Sequence, residues 1–193
     1  MLQLSFERRM CGFTLVELMV TLAVAAIVLT VGVPSFQTLI KNNRLTTAAN
    51  ALVASLNLAR SEAIKRGVRV TVCKSADGAS CTTAGNWEQG WIVFTDLNSD
   101  GSFTDDGDAT PCETGEECIL RVHESLPTSL TLRSGTNFSN WVSYLPSGIS
   151  RGNNGLANDT FRLCHDNDTS DARSIAVSTT GRVSVTQGAS SCP

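Results

Sequence analysis

Residues Gly12 to Pro34, GFTLVELMVTLAVAAIVLTVGVP, constrain this chain most, because a water-soluble core has no use for so long an apolar run with a single carboxylate near its start. From Leu18 to Val33 every residue is apolar or small. With Phe13 to Glu17 added, the run is about the 20 residues a helix needs to cross the hydrocarbon layer. Arg8 and Arg9 precede it and no Lys or Arg follows until Lys41, so the positive-inside bias predicts a cytoplasmic N-terminus and an exported remainder. A cleaved secretory signal competes with this reading; Ala23-Val24-Ala25 matches its cleavage site only loosely. A plain anchor leaves Glu17 unexplained, since a carboxylate inside a membrane segment is costly and is usually paired or functional.

GFTLVE followed by the apolar or small run Leu18 to Val33 resembles the type III signal of type IV pilins and type II secretion pseudopilins. The resemblance implies that a prepilin peptidase cuts after Gly12 and methylates the new N-terminus, Phe13. Glu17, the fifth mature residue, would then face the N-terminal amine of its own chain or of a filament neighbour, leaving neither charge unpaired in an apolar bundle. Cys11 departs from the family pattern, which has a polar, charged or small residue before the cut.

The length of 193 residues suits one compact domain and an N-terminal extension. The formal charge is −3, and loss of Glu7, Arg8 and Arg9 with the leader would leave 13 basic and 17 acidic residues. That balance argues against nucleic-acid binding by bulk charge. Once Cys11 is assigned to the leader, six cysteines remain, an even set fit for disulfides in an oxidising periplasm. Fifteen connectivities are open to six cysteines. Nearest-neighbour spacing suggests Cys73 with Cys81, Cys112 with Cys118, and Cys164 with Cys192, the last pinning the C-terminal tail. A zinc site lacks a Cys-x-x-Cys, and only His123 and His165 could add imidazoles.

Beyond Pro34, where a kink is expected, Phe36, Ile40, Leu45, Ala49, Leu52, Leu56, Ala59 and Ala63 recur on roughly one stripe of a continuing helix. Lys65, Arg66 and Gly67 are stop signals. The two halves predict one helix of roughly 50 residues, about 75 Å long. From Val68 the period becomes two, and strands are expected at 68–73, 90–95, 118–123, 129–132, 141–145, 160–164, 174–178 and 182–186. Thr179-Thr180-Gly181 reads as the turn between the last two. The class is therefore α+β, one long N-terminal helix with a membrane half and an amphipathic half packed on an antiparallel β-sheet head; the resemblance implies that this is a pilin-like fold. The expected divisions are a cleaved leader over 1–12, a membrane and assembly half over 13–34, an amphipathic half over 35–66 and a disulfide-bearing head over 67–193. Trp91-Ile92-Val93-Phe94-Thr95-Asp96-Leu97-Asn98-Ser99-Asp100-Gly101, with Ala172 to Ser178 and Gly181-Arg182-Val183, is similar to the GspH/FimT branch of minor pilins and pseudopilins.

Asp96-x-Asn98-x-Asp100-Gly101 has the oxygen spacing that opens a calcium loop, but position twelve is Gly107 in place of a bidentate Glu. Asp105, Asp106 or Asp108 could substitute; a tight turn selects the same residues and is the preferred reading. No other cofactor is implied. His165 between Cys164 and Asp166 suggests a catalytic pair only if Cys164 is a free thiol, and no catalytic constellation assembles. Arg162, Arg173 and Arg182 could form a basic strip for DNA phosphates. The resembled DNA-uptake pilins carry Gly-Arg-x-Arg, of which Gly181-Arg182-Val183-Ser184 lacks the second arginine. Asp166, Asp168 and Asp171 would oppose phosphate if they shared the face. Trp91 alternates with Val93 toward a core; Trp87 and Trp141 are not placed by the sequence.

The resemblance implies a non-enzymatic minor subunit that initiates or caps a type IV pilus or type II secretion pseudopilus. Its partners would be other minor and major pilins or pseudopilins, the prepilin peptidase and the inner membrane. It would be single-pass, with the head periplasmic and at the filament tip after assembly. A DNA-binding pilin for transformation and a membrane-anchored periplasmic enzyme are the alternatives.

Overall fold

The computed structural model describes residues 12–104, 112 and 115–192. Leader residues 1–11 and the aspartates Asp105, Asp106 and Asp108, with Gly107, lie outside the described residues. The chain divides into two compact units, Met1–Ile40 and Lys41–Pro193.

One helix, α1 (Leu15–Arg66), contributes to both. It continues through Pro34 and ends where the stop signals stand: Gly67 adopts φ +69° and its N–H donates to Ala63 O at 3.0 Å. Among the described residues of the first unit the large apolar side chains are exposed, Phe36 and Ile40 among them. The buried stripe therefore begins later than the sequence pattern suggests, at Leu45, and runs through Ala48, Ala49, Leu52, Leu56, Ala59 and Ala63. Truncating one of the fully buried leucines would cost about 2–5 kcal/mol.

The strands are β1 (Val70–Lys74), β2 (Trp91–Thr95), β3 (Ile119–His123), β4 (Leu130–Arg133), β5 (Trp141–Tyr144), β6 (Ser150–Gly152), β7 (Asp159–His165), β8 (Asp168–Val177) and β9 (Val183–Gln187). All their pairings are antiparallel. They form the expected antiparallel head as two sheets, β3-β2-β1-β5-β6 and β4-β7-β8-β9. Alternation sends Val70, Val72, Trp91, Val93, Val142 and Tyr144 into the same core as the α1 stripe. Phe161, Leu163, Ile175 and Val177 enter it from the second sheet. The reverse face of the first sheet buries Cys73, Ile92 and Phe94, packed by Cys81, Phe103, Ile119 and Trp141.

Two polar hooks orient α1 in the head. Trp91 Nε1–H donates to Ser55 Oγ at 3.0 Å, and Ser55 Oγ–H to Ala51 O at 3.0 Å, so both buried donors are satisfied. Arg60 donates to Gly148 O and Thr180 O, at 3.1 and 3.2 Å, holding two turns against the helix. The β8–β9 turn lies at Thr179 and Thr180, closed by Gly181 N–H on Ser178 O at 2.8 Å. Disulfides join Cys73 to Cys81, Cys112 to Cys118 and Cys164 to Cys192.

Candidate functional site

The sequence features with a possible function fall in three places: the start of α1, the Asp96 loop and the outer sheet of the head. At the start of α1, Thr14 precedes the first helical residue and its Oγ1 accepts the Glu17 N–H at 3.2 Å. Threonine before the first turn and glutamate three residues on is the capping-box pattern, a helix-start signal that lies inside the family motif. A carboxylate there is also favoured by the positive end of the helix dipole. Glu17 is exposed, as are Phe13, Leu15, Val16 and Leu18. Among the described residues, none of the most apolar stretch of α1 is buried, and the helix is long and apolar enough to cross a membrane. A surface of this kind in water would leave many apolar side chains hydrated, at about 25 cal/mol per Å².

The Asp96 loop closes on itself. Asp96 is buried, and its Oδ2 accepts Thr71 Oγ1–H at 2.6 Å and Gly101 N–H at 3.2 Å and lies 3.3 Å from Arg69 Nε. Asn98 Nδ2–H donates to Asp100 Oδ2 at 3.0 Å, and Asp100 N–H to Asn98 Oδ1 at 3.0 Å. Ser99 and Gly101 have φ of 65° and 79°. Gly101 is required: a Cβ there would lie 2.4 Å from the Trp141 indole. A residue the sequence pattern does not reveal, Glu117, closes the loop by accepting the N–H groups of Leu97, Asn98 and Thr104 at 3.0, 3.4 and 2.9 Å. Burial pushes its carboxyl up, with those N–H bonds working in the opposite direction. Asp96, Asn98 and Asp100 are thus engaged with protein donors, and among the described residues no three metal-binding side chains converge. The described part of this loop has the hydrogen bonding of a turn, with the buried Asp96 Oδ1 left without a hydrogen-bond partner.

The three arginines do not form one strip. In the register Arg162 lies opposite Ser174, and Ser174 opposite Thr186, while Leu163 lies opposite Arg173. Leu163 is in the core, so Arg173 belongs to the core-side face and Arg162 to the outer face. Arg182, four residues before Thr186, shares the outer face and is exposed. Arg162 donates to Ser191 Oγ at 2.6 Å and Arg173 to Asp171 O at 2.5 Å. Asp168 and Asp171 turn toward α1, where Lys41 Nζ lies 2.5 Å and 3.2 Å from their Oδ2 atoms. That hydrogen bond holds the Asp168 carboxyl well below the usual carboxylate range and raises Lys41. His165 Nδ1 lies 2.8 Å from Asp166 Oδ2, but its neighbour Cys164 is oxidised and offers no thiolate.

The tryptophans serve the core. Trp87 and Trp91 are both buried, Trp87 donating to Phe138 O at 2.9 Å. Trp141 is half-buried, with the Arg69 guanidinium 4.8 Å above its ring.

Comparison with known proteins gives two family matches: the type II transport protein GspH over residues 48–181, and the prokaryotic N-terminal methylation motif over residues 8–33. No curated protein sequence matches significantly. Among solved structures, the type IV minor pilin FimU of Pseudomonas aeruginosa is 21% identical, with 78% of this chain and 96% of that chain covered and a TM-score of 0.56. The minor pseudopilin EpsH of the Vibrio cholerae type II secretion system is 12% identical, with 78% and 99% covered and a TM-score of 0.49. At 21% identity the likeness to FimU is one of fold.

Proposed function

The chain belongs to the GspH family, the minor pilins and pseudopilins of type IV pili and type II secretion systems, and from that premise we propose that it initiates or caps assembly of such a filament. The family and fold are those of structural subunits, anchored in the inner membrane by the N-terminal helix with the head in the periplasm. On our reading the N-terminus is cytoplasmic and the chain passes the membrane once. A prepilin peptidase removes the leader after Gly12 and methylates Phe13. The mature helix then packs with those of other minor and major pilins or pseudopilins.

The observation that carries this reading is the wholly unburied apolar stretch of α1, headed by one carboxylate at the third helical position. In a bundle, such a stretch gains packing against neighbouring helices, and Glu17 finds a cationic partner in an N-terminal amine. Glu17→Val is expected to leave membrane insertion intact and to abolish recovery in sheared filaments. Glu17→Gln, which keeps a capping side chain but removes the charge, is expected to behave likewise. Wild-type incorporation of both variants would reject the role.

A DNA-binding role has one observation in its favour: Arg162 and Arg182 share the outer face, away from the Lys41-bound Asp168 and Asp171. It predicts a salt-sensitive gel shift lost in Arg182→Ala; no shift at low salt would dismiss it.

A further inference from the structure

Between Ile40, which is exposed, and Leu45, which is fully buried, α1 enters the head within little more than one turn. Asn43 and Arg44 in that turn are exposed, and Lys41 and Asn42 are half-buried. Among the described residues, the side-chain hydrogen bond joining this turn to the strands is that of Lys41 with Asp168. The acceptor is built in advance. Asp166 and Asn167 have φ of 48° and 61°, giving the β7–β8 connection the tight two-residue form that fixes hairpin register. The Cys164–Cys192 disulfide ties the same end of β7 to the C-terminal tail. Asp168 Oδ1 is held by Ser170 N–H at 2.9 Å and Ser170 Oγ–H at 2.7 Å, which leaves Oδ2 aimed at Lys41. Asp171 adds a second carboxylate 3.2 Å from the same ammonium.

We propose that Lys41, Asp168 and Asp171 form a releasable ionic clasp that sets where the head lets go of α1. Closed, it holds the helix from Lys41; open, attachment retreats to Leu45 and one further turn is freed. The side chains are 22%, 35% and 28% exposed, so the clasp is open to screening by salt in a way the leucine stripe is not. An exposed ion pair is a weak stabiliser of a whole domain. At the margin of a helix, where opening free energies approach zero, an interaction of that size decides whether a turn is held. The clasp belongs to the head's own geometry and holds whether or not the chain enters a filament.

The test is hydrogen exchange by mass spectrometry on the full chain in detergent micelles, at about 20 mM and about 500 mM salt, which bracket the range over which surface charges become screened. In the wild type at low salt, amides 42–45 should exchange roughly fivefold more slowly than in Lys41→Met or in Asp168→Asn/Asp171→Asn. High salt should bring the wild type to the level of the variants and leave the variants unchanged, and Lys41→Arg should retain protection. Amides 52–66 should not respond in any of these. Salt-independent exchange of the wild-type turn overturns the clasp without reference to any variant, and so does unchanged protection in Lys41→Met.

Discussion

Removing the three disulfides one at a time should rank them by the chain they enclose. Their sequence separations are 28 for Cys164–Cys192, 8 for Cys73–Cys81 and 6 for Cys112–Cys118. The chain-entropy relation gives about 3.6, about 2.5 and about 2.2 kcal/mol for the three, on the premise that each acts by restricting the unfolded chain. The structure strengthens the first estimate relative to the last: Cys164 is fully buried where the tail crosses β7 and β8, whereas Cys112 is exposed. Cys164→Ala/Cys192→Ala should therefore lower the head's midpoint most, by roughly 7–14 °C for a domain of this size. Cys112→Ala/Cys118→Ala should lower it least. The assay is thermal unfolding of the full chain in micelles followed by near-ultraviolet circular dichroism, which reports the packed tryptophans of the head and ignores the helix retained in detergent. If loss of Cys112–Cys118 costs as much as loss of Cys164–Cys192, the tail is not restrained in the way described.

Two further outcomes follow from the head's polar contacts. Ser55→Ala strands the buried Trp91 indole N–H and should cost about 1–3 kcal/mol in urea unfolding, with most of the loss absent when Trp91→Phe is already present; additive losses would refute the hook. Asp77 accepts hydrogen bonds from Ser75 Oγ, Ser80 Oγ and the N–H groups of Ala79 and Ser80, which hold its carboxyl well below the usual range. Its folded pKa is thus below its unfolded one, so its contribution is present above the ordinary carboxylate pKa and is lost as pH falls below it. A carboxyl titration by nuclear magnetic resonance should place Asp77 below the exposed aspartates; a midpoint among theirs would contradict the loop.

How much the sequence discloses differs by element, for physical reasons. The long helix was legible because an apolar span and the stripe from Leu45 to Ala63 are local, periodic signals, and Gly67 ends it by a backbone rule. Phe36 and Ile40 fit the same period yet stay exposed, since periodicity does not show where a partner surface begins. β6 has no sequence signal because Ser-Arg-Gly lacks hydrophobic alternation; the single Ser150 hydroxyl proton lies within reach of both Ala157 O and Ser178 O. The first half of β8 is polar for the same reason that it is useful, carrying Asp168 and Asp171 to Lys41 across 127 residues of sequence. The split into two sheets, the place of Glu117 and the opposite facing of Arg162 and Arg173 all depend on non-local register. The cysteine pairings were legible because each joins cysteines that are consecutive in the sequence.

The central claim is that this chain is matured as a pilin-like subunit, and intact mass with N-terminal fragmentation tests it most directly, on protein purified from membranes that contain a prepilin peptidase. The account predicts a chain that starts at N-methylated Phe13 and lacks the six hydrogens of its three disulfides. A chain still starting at Met1, or one cut after Ala25, would contradict it.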